Sequence, residues 1–220
     1  MASTASPYGL RPVNLIGGQA FNGGVIREFP VKANNSAAIF NGDLVVLSSA
    51  GLPSAVTSTP VAITLAATSV IATAGIVGVC VGARYVNSEG QLTFNNYLPA
   101  GLVTGGASDV FVRVMDDPDA LMEIQASAAL GTFNSGSSGS GFAGAVGKNA
   151  QLGFSTAGNT TTGNSGMNLL TGTNGNGLVT TQSYGVRIVG FREGTQEDTY
   201  PEFVVKLNVG VHSYQNSTGV

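Results

Sequence analysis

The chain has 220 residues, of which 43% are hydrophobic and only 10% charged, against a usual charged share of about 25%. That composition excludes a disordered tail and leaves enough apolar mass for a buried core. The net charge of −3, with no basic run anywhere, excludes a polyanion-binding surface, so no nucleic-acid partner is expected.

Residues 1–24 hold Pro7, Pro12 and several glycines with little periodicity, and are expected to form an extended N-terminal arm. Met1–Pro7 lacks the basic and apolar regions of a secretory signal, so none is expected. From Val25 the pattern alternates as a strand does, and Pro30 marks an edge strand or a bulge. Asn34-Asn35-Ser36 and Asn41-Gly42-Asp43 are turns, the second feeding an apolar strand at Leu44–Leu47.

Leu44 through Ala83 carries no charge, and Val61–Gly82 is long enough to imitate a membrane span. Thr, Ser and Gly punctuate the run, and neither a Lys cluster nor an aromatic belt flanks it. Two buried strands, near 61–65 and 76–85, account for it, and no membrane partner is expected. Asn87–Gly90 is a hairpin turn into Gln91–Phe94.

Val110–Met115 is apolar on both faces and is expected at the centre of a sheet. Asp116–Asp119 turns the chain into a strand at Leu121–Ala126. Residues 131–141 and 155–177 are rich in Gly, Ser, Thr and Asn and are expected as flexible loops, while 143–152 fits a short helix or a strand. Val186–Phe191 is a strand, and Glu202–His212 alternates with Phe203, Val205, Leu207, Val209 and Val211 on one face. With no helical periodicity, the expectation is an all-β barrel or sandwich, one domain over 25–220 behind the arm.

Chemistry-bearing constellations are scarce. Cys80, the only cysteine, sits in an apolar run and reads as a small buried hydrophobe; a nucleophile would need the only histidine, His212, beside it. One Cys and one His do not make a zinc site. A Gly-x-Gly-x-x-Gly match at Gly139, Gly141 and Gly144 falls in a Ser/Gly-rich loop without the strand and downstream acid that a dinucleotide would need. Asp116, Asp117 and Asp119 fit a solvated turn better than a calcium loop. The Asn-x-Ser/Thr matches at Asn34, Asn159 and Asn216 carry no weight without a secretion signal. No enzyme activity, cofactor or metal is expected.

Three blocks carry a resemblance. They are Ser6-Pro7-Tyr8-Gly9-Leu10-Arg11-Pro12-Val13; then Gly42–Gly51 with Ile76–Val79, Gly82–Tyr85, Gly90, Phe94 and Pro99; then Val114–Pro118 with Glu123–Ala126 and Val146–Ala150. In this order the chain resembles the head decoration, or capsid cement, proteins of tailed bacteriophages. The resemblance implies a β-rich virion protein on the outer capsid surface, assembled in the host cytoplasm. It implies two partners: the major capsid protein, and neighbouring copies of the chain in a dimer or trimer. It carries no catalytic residues. On the arm, Tyr8, Leu10, Arg11 and Pro12 are the expected contacts with the capsid or a neighbour. A tail-tube subunit, a fibre-associated β-domain and a non-viral β-sandwich binding module are the alternatives. A carbohydrate-binding sandwich is disfavoured because the chain has no Trp and its 6 Tyr are scattered.

Overall fold

Short runs of β-branched and aromatic residues, separated by Gly, Asn and Asp, pair as strands because each run is too short and too alternating to bury a helical stripe. The computed structural model describes residues 4–18, 26–32, 35–48, 62–65, 75–130, 144–154, 156–171, 178–180, 184–196, 198–208 and 210–215. Among them no helix occurs. The strands are β1 (Arg11–Leu15), β2 (Ile26–Pro30), β3 (Leu44–Ser48), β4 (Ala62–Leu65), β5 (Ile76–Val86), β6 (Leu92–Asn95), β7 (Ser108–Met115), β8 (Ala120–Gln125), β9 (Asn149–Phe154), β10 (Met167–Leu170), β11 (Leu178–Val179), β12 (Val186–Phe191) and β13 (Glu202–Leu207).

They build two antiparallel sheets. The seven-stranded sheet runs β1-β8-β13-β12-β9-β10, with β11 also on β9. It curls into a half-barrel: Leu169 of β10 bridges Ala126 just past β8, and the Ser127 amide donates to the Leu169 carbonyl at 2.8 Å. The six-stranded sheet runs β2-β7-β5-β3-β4, with β6 on β5. As expected, β7 lies inside the sheet and Pro30 lies on an edge, where its missing N–H costs nothing. The larger core fills the curl with Phe203, Val205, Ile188, Met122, Ile124 and Leu169, and Leu44, Ile76, Val79 and Met115 of the other sheet pack into it. A second core under the six-stranded sheet gathers Val112, Val114, Ala83, Ile39 and Leu98.

Three expectations need correction, and one left open is decided. Residues 4–15 are not an arm apart from the domain. Leu10 is fully buried in the larger core, and β1 pairs with β8, placing Arg11 opposite Glu123 and Leu15 opposite Ala120. The aperiodic, Pro-rich sequence hides this because only Leu10 is fully buried, Leu15 packing against the core from its margin, and a bulge between Pro12 and Asn14 breaks the alternation.

The polar stretch after 155 is built, not loose. Asn159 Oδ1 accepts the Thr161 and Thr162 amides at 2.8 and 3.1 Å, and the loop leads into β10. Residues 172–177 and the 131–141 loop lie outside the described residues. The undecided stretch at 143–152 is a turn at 144–147 followed by β9. Finally, the alternation from Glu202 stops being a strand at Leu207. Asn208 turns the chain by donating from Nδ2 to the Tyr184 carbonyl at 2.5 Å, and His212 bridges Ile76 of the other sheet.

The burial of Leu10 has a measurable consequence. Leu10→Ala should lower unfolding free energy in urea by about 2–5 kcal/mol, as for other core leucines. A loss within experimental error would mean that the N-terminal segment is a detachable arm after all.

Candidate functional site

The most constrained polar group is Asp43, at the turn that launches β3. Gly42 holds φ at 93° to make that turn, and Gly9 holds φ at 79° where the N-terminal segment crosses it. A Cβ on Gly9 would come within 2.6 Å of Ser165 Cβ and 2.7 Å of the Gly42 carbonyl, so the crossing requires glycine. The Asp43 carboxylate is buried there. It accepts the Phe40 amide at 2.8 Å and the Ser165 hydroxyl, whose oxygen in turn accepts the Met167 amide at 3.0 Å. Desolvation outweighs those two donors and pushes the carboxyl up to about 6.

A second cluster joins the sheets at the β7–β8 corner. Arg27 pairs with the buried Asp116 and also donates to the Tyr214 hydroxyl. That hydroxyl donates to Asp116 Oδ2 at 3.0 Å, and the Tyr214 ring meets His212 edge-on at 5.1 Å. His212 is fully buried; burial lowers its pKa, and its Nδ1 accepts the Tyr214 amide at 3.2 Å. The neutral imidazole is thus a fixed piece of the core.

The three aspartates of the turn diverge. Asp116 faces Arg27 and Tyr214, Asp117 Oδ1 accepts the Asp119 amide at 2.8 Å, and Asp119 pairs with Lys206 at 2.5 Å. No group of three His, Cys, Asp or Glu able to hold a metal is found among the described residues. Cys80 is buried, its thiol pushed up to about 12 by desolvation, and its Sγ approaches the Gly82 carbonyl at 3.7 Å. No hydrogen bond joins it to His212. A cavity of about 300 Å³ under the N-terminal segment is lined by Ala5, Pro7, Gln125, Ser127, Asn168 and Tyr200 among others, with no His, Cys, Asp, Glu, Lys or Arg in its lining. No described helix is long and apolar enough to cross a membrane. Of the Gly-x-Gly-x-x-Gly match, Gly139 and Gly141 lie outside the described residues.

The expected contact residues separate. Leu10 belongs to the core and presents no surface. Tyr8 is partly buried with its hydroxyl inward; burial, then the Glu202 and Glu123 carboxylates, raise its pKa, so it stays a neutral phenol. Arg11 is exposed and stacks its guanidinium 4.3 Å from the Tyr8 ring centre, and Pro12 is half-buried. Beside them on the β1 edge stand Val13 and Ile16, 40% and 51% exposed, which sequence reasoning missed. No sequence signal marks them, because the bulge that leaves Val13 unpaired between Pro12 and Asn14 breaks the alternation. Glu123 and Glu202 of β8 and β13 border this patch and share Arg192, at 3.6 and 2.8 Å.

Protein-family models, curated proteins and solved structures were compared with the chain, and none matches it.

The Asp43 site predicts a pH dependence. Its folded-state pKa of about 6 lies above the ordinary 3.8, so the folded chain holds this proton more tightly than the unfolded one. The stability it contributes is fully present below pH 3.8 and is lost as pH rises through 6. At most about 3 kcal/mol is involved. Asp43→Asn removes the titration, so wild type minus variant stability in urea should fall from about pH 4 to about pH 7. A difference that does not change with pH would show that the carboxyl is solvated.

Proposed function

We propose that the chain is a structural virion protein that decorates a bacteriophage capsid from outside and ties capsid subunits together, without an enzymatic role. The observation that carries this is the β1 edge. An edge strand fastened to a closed core presents Arg11 stacked on Tyr8, with Pro12, Val13 and Ile16 beside it. A patch of this kind, apolar with one guanidinium and an acidic border, suits contact with another protein surface. The low charge of the whole chain supports the same conclusion, since few ions need desolvating when it is packed among neighbours. Symmetry supplies the rest: a modest contact repeated over a lattice adds up through many linked copies.

The strongly perturbed groups favour structure over catalysis. Asp43, Cys80 and His212 are each shifted first by burial, and each is spent on packing or on hydrogen bonds within the chain. Titration serves catalysis where it faces a cleft.

The test uses capsid heads assembled without this chain. Purified protein should co-sediment with them saturably and raise the temperature at which they open. The double substitution Val13→Glu and Ile16→Glu should keep the fold and weaken binding by about tenfold or more. Unchanged binding by that variant would remove β1 as the contact. No binding by either form would overturn the decoration proposal and favour a tail or fibre component. Truncating 1–13 is not a fair test, because it would remove Leu10 from the core.

A further inference from the structure

β6 is an edge of the six-stranded sheet among the described residues, and its hydrogen-bonding phase decides what it can accept. Among the described residues β6 pairs only with β5. Asn87 turns the hairpin by accepting the Glu89 and Gln91 amides on its Oδ1, at 3.1 and 2.8 Å, while its own amide donates to the Gln91 carbonyl at 3.0 Å. Asn87 and Gln91 are therefore a hydrogen-bonded pair. In an antiparallel ladder such pairs alternate with non-hydrogen-bonded ones. Continuing the register, Tyr85 with Thr93 is hydrogen-bonded, and Val86 with Leu92 and Arg84 with Phe94 are not. The amides and carbonyls of Leu92 and Phe94 consequently point away from β5, to the free edge.

The side chains of the same two residues are the most exposed large hydrophobics described, at 58% and 66%. They share the outer face with Arg84, which lies 4.2 Å from the centre of the Phe111 ring and pairs with Glu28 at 2.6 Å. That guanidinium is thus already paired. β6 itself, Leu-Thr-Phe-Asn, has no charge and no proline, the devices that ordinarily keep an edge strand from pairing.

We propose that β6 is a homodimer edge, pairing antiparallel with β6 of a second copy about a two-fold axis through Thr93. A two-fold axis there sets Leu92 opposite Phe94 of the other copy. Both are the outward-bonding residues, so each couple exchanges two backbone hydrogen bonds. It also sets the two large side chains of each couple against one another on one face. Gln91 meets Asn95, so no like charges are opposed within the paired strands. The strand is self-complementary in hydrogen bonding, apolar contact and charge, and this favours a second copy over an unrelated partner. The six-stranded sheets of two copies become one continuous sheet. The dimer does not depend on capsid binding.

Sedimentation equilibrium of the full chain should show a concentration-dependent dimer. Leu92→Lys with Phe94→Lys places like charges opposite each other and should weaken it by about tenfold or more without altering the circular dichroism. Thr93 faces itself in a non-hydrogen-bonded pair, with Cα atoms about 4.5 Å apart, within disulfide reach. Thr93→Cys should therefore cross-link rapidly on mild oxidation, since Cys80 is buried, whereas Thr161→Cys on the exposed turn should not. A monomer at every concentration would overturn the proposal. So would a dimer that survives the lysine pair, or cross-linking of Thr161→Cys as fast as Thr93→Cys.

Discussion

A carboxyl group buried at a chain crossing organises this fold. Asp43 is held by the Phe40 amide and the Ser165 hydroxyl, and around it four segments exchange backbone hydrogen bonds. Gly9 donates to the Met167 carbonyl at 3.1 Å, Leu10 to Gly42 at 2.9 Å, Gly42 to Cys80 at 2.8 Å and Cys80 to Asp43 at 2.8 Å. β3 and β5 of one sheet thus meet β1 and β10 of the other within a few residues. Burying the carboxyl costs free energy, visible in its raised pKa. What it secures is register: slipping the Phe40–Asp43 turn against Ser165–Met167 would leave Asp43 or Ser165 without its partner.

From that crossing the two sheets diverge in character. The seven-stranded sheet curls and buries its interior, leaving β1 as its apolar edge. The six-stranded sheet keeps β6 uncovered. β1 on one sheet and β6 on the other are edges that carry exposed apolar side chains. Here Asp116, Asp117 and Asp119 face three ways, and Cys80 and His212 bond to different partners.

The strands were legible in the sequence wherever alternation ran for four or more residues, as at Val186–Phe191, and wherever a side chain dictated a turn, as at Asn87. The all-β class followed from them. Three things were hidden. β1 looks aperiodic because a bulge interrupts it and a single leucine does the burying. The loop before β10 looks flexible because its order comes from asparagine side chains bonding to backbone, a pattern composition alone does not show. The Asp43–Ser165 contact joins residues 122 apart in sequence, and a Gly-Asp turn gives no sign of its distant partner. Of the expected contact residues, Arg11 reaches the surface, Tyr8 and Pro12 do so in part, and Leu10 not at all.

Native-state hydrogen exchange tests the crossing most directly. The Gly9, Leu10, Phe40 and Cys80 amides should exchange only as fast as the whole chain unfolds, with one common free energy. Gly9 and Leu10 exchanging orders of magnitude faster than Cys80 would contradict the account, because the N-terminal segment would then open without disturbing the sheets it is said to lock together.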